Sequence, residues 1–157
     1  MKRFFALVIV GCMFLTARAQ DEKFAATETE KKIMELTNAE RKKKELPPLK
    51  PATLLFKVAR AHSENMAKQG KMEHNLDGKK PTDRMRAAGY LLGKGAENIG
   101  AGDPCVPLDM LMEAWMASKG HRENILSTLY TEIGIGVAKD DKGQVYYTQV
   151  FGKPRED

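Results

Sequence analysis

The stretch "EIGIGVAK", Glu132 to Lys139, constrains the fold of this chain more than any other. Ile133, Ile135 and Val137 alternate with Gly134, Gly136 and Ala138, a period of two that reads as a strand. The small face of that strand has almost no side chain to pack, which points to a helix lying close against its backbone. "DDKG" then turns the chain into a second alternating run, with Val145, Tyr147, Gln149 and Phe151 on one face. The tail is therefore a hairpin that needs helices over it.

The preceding sequence supplies them. Thr27 and Glu30 form a capping-box pattern for a helix running to about Glu45, with Ile33, Leu36, Thr37 and Glu40 along one face. "LPPLKP" breaks it. A second helix is expected from Pro51 to Gln69, ahead of Gly70, with Leu54, Leu55, Val58, Ala59, His62 and Met66 as its apolar stripe. His62, on the buried edge, is expected to be a hydrogen-bonded core residue. His74 falls in a loop beside a turn at Asp77-Gly78. "PTDRMRAAG" reads as a short helix, with Thr82 or Asp83 near its start and Gly89 past its end. "YLLGKGAENIGAGDP", with its glycines, reads as a loop between helices. A further helix over 108–118 turns Leu108, Leu111, Met112 and Trp115 inward, and His121 opens the next short turn. Helices first and a hairpin last make an α+β domain with an antiparallel sheet covered by helices.

A chain of 157 residues with 42% hydrophobic content is enough for one core. At its start stand Lys2 and Arg3, an apolar run from Phe4 to Thr16, and Ala17-Arg18-Ala19, the small-x-small form of a signal-peptidase site. Residues 1–19 are thus expected to be a signal peptide, and the mature protein secreted or periplasmic. A competing pattern, Ile9-Val10-Gly11-Cys12, looks like a lipobox and would leave a membrane-anchored lipoprotein through Cys12. The apolar run is shorter than the roughly 18 residues a spanning helix needs, and no later segment approaches that length, so no transmembrane anchor is expected. Cleavage after Ala19 leaves Cys105 alone, which excludes an intramolecular disulfide in the mature chain.

The formal charge of +5 overstates the basicity, because three of the 26 basic residues lie in the first twenty positions, which hold no acid. What remains is close to balance against the 21 acids and calls for no nucleic acid. Arg41 to Lys44, the one concentrated basic patch, reads as a solvated helix end whose cations offset the dipole. With no interleaved aromatics it is not a nucleic-acid surface. No face demands an oligomer, and a monomer is expected.

Familiar catalytic signatures are absent: no Gly-x-Ser-x-Gly, no His-Glu-x-x-His, no Gly-Lys-Ser/Thr loop and no Cys-x-x-Cys pair. His74, Glu97 and His121 remain, in loops or at helix ends. Two imidazoles and a carboxylate can hold zinc with one position left for water, or share protons near neutral pH. Separations of 23 and 24 positions do not choose between these uses. Ser118 precedes His121 by three residues, where a serine either serves as nucleophile or bonds the backbone of a helix end. Cys105 has no activating cation beside it.

Read together, "TNAERKKKELPPLKPATLLFKVARAHSENMAKQGKMEHN", "DRMRAAGY", "GAENIGAG", "EAWMASKGHRENIL", "EIGIGVA" and "YYTQVFG" resemble the CAP superfamily. This group, also called the SCP domain, holds the cysteine-rich secretory, antigen 5 and pathogenesis-related proteins; the match is to its disulfide-free bacterial branch. The resemblance implies a three-layer α-β-α sandwich with a central antiparallel sheet over residues 31–153. Residues 20–30 would be an N-terminal extension and 154–157 a tail, with short strands near Asn98 to Ala101. It also implies a cleft lined by His74, Glu97 and His121. Ser118 stands where eukaryotic members carry a second glutamate, which implies weaker affinity for a divalent metal. The function implied is a ligand- or partner-binding module, for a lipid or a protein, with zinc on His74 and His121 as a possible cofactor. The alternative is a metal-assisted, peptidase-like hydrolase with Glu97 as catalytic general base. A third reading makes the trio a buried polar network that fixes the loops.

Overall fold

The computed structural model describes residues 25–156; the expected signal peptide and Cys12 lie outside them. In chain order the elements are α1 (Glu28–Lys42), β1 (Lys50–Pro51), α2 (Thr53–Gln69), α3 (Pro81–Ala87), β2 (Leu92–Gly102), α4 (Leu108–Ala117), α5 (Lys119–Ile125), β3 (Glu132–Lys139) and β4 (Val145–Pro154). Among the described residues no helix is long and apolar enough to cross a membrane.

The capping box forms as the sequence predicts. Glu30 N–H donates to Thr27 Oγ1 at 3.3 Å, and Thr27 N–H donates to Glu30 Oε2 at 2.8 Å. Glu30 also receives Arg60 from α2, at 2.7 Å on Oε1 and 2.6 Å on Oε2, which ties the first two helices together. Burial opposes its ionisation, but the bonds from Arg60 and Thr27 outweigh burial and hold the carboxyl below its ordinary range. α1 stops at Lys42, short of the expected end, where the last turn tightens and Glu45 adopts a φ of 56°.

Arg41 departs from the solvated patch expected of it. It is buried, with Nε donating to the Pro47 carbonyl at 2.9 Å and Nη1 to those of Ile125 and Ser127 at 2.8 and 2.7 Å. Its guanidinium staples the proline-rich turn to the end of α5, while Lys42, Lys43 and Lys44 are exposed.

Pro51 does not open α2. It sits in β1, whose neighbours supply the pairing: Lys50 N–H donates to Thr131 O and Ala52 N–H to Ile133 O. An edge strand can hold a proline because its missing N–H faces away from the ladder. α2 ends as expected at Gly70, in the left-handed conformation at φ 62° that glycine adopts without strain.

The sheet order is β1-β3-β4-β2. β3, β4 and β2 are antiparallel, as expected; the two-residue β1 runs parallel to β3 and makes the sheet mixed. Register places Ile133 opposite Phe151 and Val137 opposite Tyr147 on one face, which packs with Ile33, Met112, Trp115 and Ile125. The other face carries Gly134 and Gly136. A Cβ on Gly134 would stand 2.1 Å from the Leu55 carbonyl carbon, and one on Gly136 2.2 Å from that of Ala59. α2 thus lies directly on the β3 backbone, the contact that the small face of "EIGIGVAK" predicts. With α2 and α3 on one side and α1, α4 and α5 on the other, the domain is an α-β-α sandwich.

Candidate functional site

The segment read as a glycine-rich loop, "YLLGKGAENIGAGDP", is for the most part strand β2, eleven residues paired with β4 along almost its full length. Its glycines answer to close packing. A Cβ on Gly95 would meet Met85 of α3 at 2.8 Å, and one on Gly100 would meet Leu111 of α4 at 3.0 Å. Strand alternation then aims consecutive residues at opposite layers. Glu97 pairs in register with Val150, which packs against α2 and α3, and Asn98 pairs with Gln149 on the other face.

Glu97 is the buried centre of a charged cluster. His74 Nδ1 donates to its Oε1 at 2.9 Å and Arg84 Nη2 to its Oε2 at 2.7 Å. His62 Nε2 stands 3.6 Å from Oε1. The Glu97 side chain is 1% exposed and that of Arg84 12%, whereas His74 is 46% exposed. A buried carboxylate needs such partners, since an unpaired one is costly in a low-dielectric interior. The His74–Glu97 bond requires the proton on Nδ1 and leaves Nε2 to bond elsewhere. Arg84 is anchored in turn: its Nη1 donates to the carbonyls of His74 and Lys79, each at 2.9 Å. One guanidinium therefore holds both the carboxylate and the loop that carries the histidine.

On the opposite face a polar network sets His121. Asn98 Nδ2 donates to the His121 carbonyl at 3.1 Å and to Gln149 Oε1 at 3.0 Å; Asn124 Nδ2 donates to Asn98 Oδ1 at 2.9 Å, and Gln149 Nε2 to Thr37 Oγ1 at 2.8 Å. These bonds fix the α5 backbone against β2 and β4. The His121 imidazole is half-buried and bonded to neither Glu97 nor His74, but burial and then the charge of His74 push it below the ordinary histidine range. Ser118 is the hinge residue between α4 and α5, in an extended conformation at φ −79°, ψ 125°, and its hydroxyl bonds neither His121 nor Glu97. Of the four residues read from the sequence, the fold joins His74 to Glu97 directly and brings His121 within electrostatic reach of His74. It leaves Ser118 at the helix junction.

Two further members of the cluster carry no such signal in the sequence. Arg84 has nothing to mark it beyond its place on the short α3 helix. His62 was expected to be hydrogen-bonded, but it is 1% exposed and neither ring nitrogen has a hydrogen-bond partner among the described residues. Burial pushes His62 below its ordinary range, opposed first by Glu97; the Glu73 carbonyl also favours the charged ring, without meeting hydrogen-bond geometry.

Zinc sites built by proteins use three or four side-chain ligands. Among the described residues no three His, Cys, Asp or Glu side chains are grouped to hold a metal. As arranged, both oxygens of Glu97 are engaged by protein donors, one of them a fixed cation.

Comparison with known proteins bears on the whole chain. It is 38% identical over 125 residues to the uncharacterized protein YkwD of Bacillus subtilis, covering 79% of this chain and 47% of that protein. It is 31% identical over 155 residues to the uncharacterized membrane protein YlbC of the same organism, covering 97% of this chain and 43% of YlbC. The chain thus spans less than half the length of either relative. An extracellular protein containing a SCP domain from Bacillus anthracis superposes with a TM-score of 0.70 at 26% identity, over 83% of this chain and 45% of that one. An outer surface protein of Borrelia burgdorferi has the same fold, with a TM-score of 0.76 at 24% identity over 83% of this chain and 97% of that one. The family model for CAP, the cysteine-rich secretory protein family, matches residues 34–151, and the chain belongs to that family.

Proposed function

We propose that this protein is an exported binding module that uses the cleft around His74, Glu97 and His121 to hold a polar group of a ligand or partner, with Glu97 as the residue that orients His74. The observation that carries this reading is the engagement of Glu97: one oxygen accepts from His74 at 2.9 Å and the other from Arg84 at 2.7 Å. A carboxylate so held sets a tautomer and presents an imidazole at the surface. A hydrolase on the same residues would need Glu97 as a proton acceptor beside an activated water, and no observation favours that chemistry. Export is supported by the Bacillus anthracis relative, which is described as extracellular.

The first test is a calorimetric zinc titration of the purified protein at neutral pH beside a His74→Ala/His121→Ala double variant. The metal-free reading expects no micromolar binding. Micromolar affinity lost in the double variant overturns it and makes hydrolysis assays the next step. A panel of short peptides and phospholipid vesicles, screened by saturation-transfer NMR, then tests recognition. Capture without turnover that depends on both imidazoles is expected, and cleavage of any peptide by the wild type alone would refute a noncatalytic module.

A further inference from the structure

Arg41 is a cation buried without a counter-charge. It is 1% exposed, and its bonds go to three backbone carbonyls, those of Pro47, Ile125 and Ser127. Burial pushes its guanidinium below the ordinary arginine range, and no carboxylate opposes that shift. The other buried charged groups are paired: Glu30 with Arg60 and Glu97 with Arg84. Carbonyl dipoles satisfy N–H groups but leave a net charge in place. Nε and Nη1 are spent on those carbonyls. Nη2 has no partner among the described residues, yet it is not enclosed as the unpaired nitrogens of His62 and Arg84 are, so the exposure that Arg41 keeps includes this atom.

Arg41 lies on the wall of a cavity of about 500 Å³ between the 47–50 turn, the 128–132 segment and the end of β4. Lys50, Lys153 and Arg155 line it as well, against Glu132 and Glu156, so four cations face two acids. Both acids are engaged: Glu132 Oε2 accepts from Tyr90 Oη at 2.7 Å, and Glu156 Oε1 from Lys153 Nζ at 2.9 Å. Lys50 and Arg155 are exposed and have no acidic partner among the described residues. Pro47, Pro48 and Tyr130, whose ring leans on Phe151 at 5.8 Å between centroids, give the same cavity an apolar wall. None of His74, Glu97, Ser118 and His121 lines it.

The surplus of two positive charges selects the ligand. Water would satisfy Nη2 and leave the surplus untouched. A carboxylate would offset half of it. A phosphate monoester carries a charge of about −1.5 to −2 at pH 7 and offers three acceptor oxygens, chemistry that suits a guanidinium.

We propose that this cavity is an anion site for a phosphate monoester with a compact apolar body. The phosphate accepts from Arg41 Nη2 within the field of Lys50 and Arg155, and the body lies against Tyr130 and the two prolines. Such an ester belongs to a soluble molecule or to a lipid headgroup. This inference is independent of what the cleft holds.

The test is calorimetry at pH 8 on the purified protein with phenyl phosphate, beside benzoate, which has the ring and one charge, and inorganic phosphate, which has the charge and no ring. Phenyl phosphate is expected to bind saturably with 1:1 stoichiometry, and the other two at least about tenfold more weakly, as loss of a charge-assisted contact implies. A Lys50→Ala/Arg155→Ala double variant, altered at two exposed positions, should fold normally and bind about tenfold or more weakly. Arg41→Lys, which keeps a cation and loses Nη2, should weaken binding as much, and the surface pair decides the matter if that variant unfolds. Cosedimentation with phosphatidate but not phosphatidylcholine vesicles, lost in the double variant, assigns the ester to a lipid; phenyl phosphate binding without cosedimentation assigns it to a soluble molecule. The proposal is overturned if phenyl phosphate does not bind at millimolar concentration, if benzoate or inorganic phosphate matches it, or if the double variant retains full affinity.

Discussion

At the scale of single residues, Arg84 does the most to hold the charged cluster together. It meets Glu97 and two loop carbonyls at once, so its removal strands a carboxylate whose side chain is 1% exposed. Breaking one partner of a buried pair costs about 3–5 kcal/mol, and the 12% exposure of Arg84 places this case at the lower end. Arg84→Met should therefore lower the unfolding free energy by about 3 kcal/mol in urea titrations. Adding Glu97→Gln should restore part of that loss, since the neutral amide no longer needs a cation. If the double variant is as unstable as the sum of the two single ones, the pair is not coupled and Arg84 acts only through the His74 and Lys79 carbonyls. Arg84 was invisible in the sequence for a plain reason: an arginine on a short amphipathic helix is usually solvated, and its partner lies on a strand thirteen residues on.

At the scale of elements, one pattern is legible in the first case and hidden in the second. Alternating small residues in "EIGIGVAK" pointed to a helix against the strand, and the Gly134 and Gly136 contacts with α2 are that helix. "GKGAENIG" carries the same message, with Gly95 under Met85 and Gly100 under Leu111, but glycines without alternating large residues look like a loop. The strand is legible only through its partners, and pairing is a long-range property that propensity does not contain. Gly136→Val tests the α2 contact directly. Its side chain would start 2.2 Å from the Ala59 backbone, where no rotamer change relieves the clash. Overpacking of flexible core neighbours costs about 1–3 kcal/mol, so a collision with helix backbone should exceed that range and leave little folded protein by circular dichroism. A variant with near wild-type melting would mean that α2 can lift off β3.

At the scale of the whole molecule, the charged cluster is assembled from separate parts: a strand centre at Glu97, a loop histidine at His74, a buried α2 histidine at His62 and an α3 arginine at Arg84. That is why a spacing of 23 positions could not by itself join His74 to Glu97. Assembly around buried titratable groups also sets how stability follows pH. Burial lowers the proton affinity of folded His62 from its ordinary value of 6.5, so the unfolded chain takes up a proton first as pH falls. Stability from this group is present above about pH 6.5 and is lost as pH drops below it. While only the unfolded ring is charged, each pH unit costs about 1.4 kcal/mol. Glu30 has the same sign at lower pH. Its folded carboxyl is held below 4.5, so its contribution is lost as pH falls through that value toward the folded one. Urea unfolding from pH 8 to 3 should show stability falling in two stages, the first reduced by His62→Leu, with a remainder from His121, whose folded ring is also held below its ordinary range, and the second by Glu30→Gln. Were the first stage undiminished in His62→Leu, His121 alone would account for it, and the buried α2 imidazole would not be an acid-sensitive element of the fold.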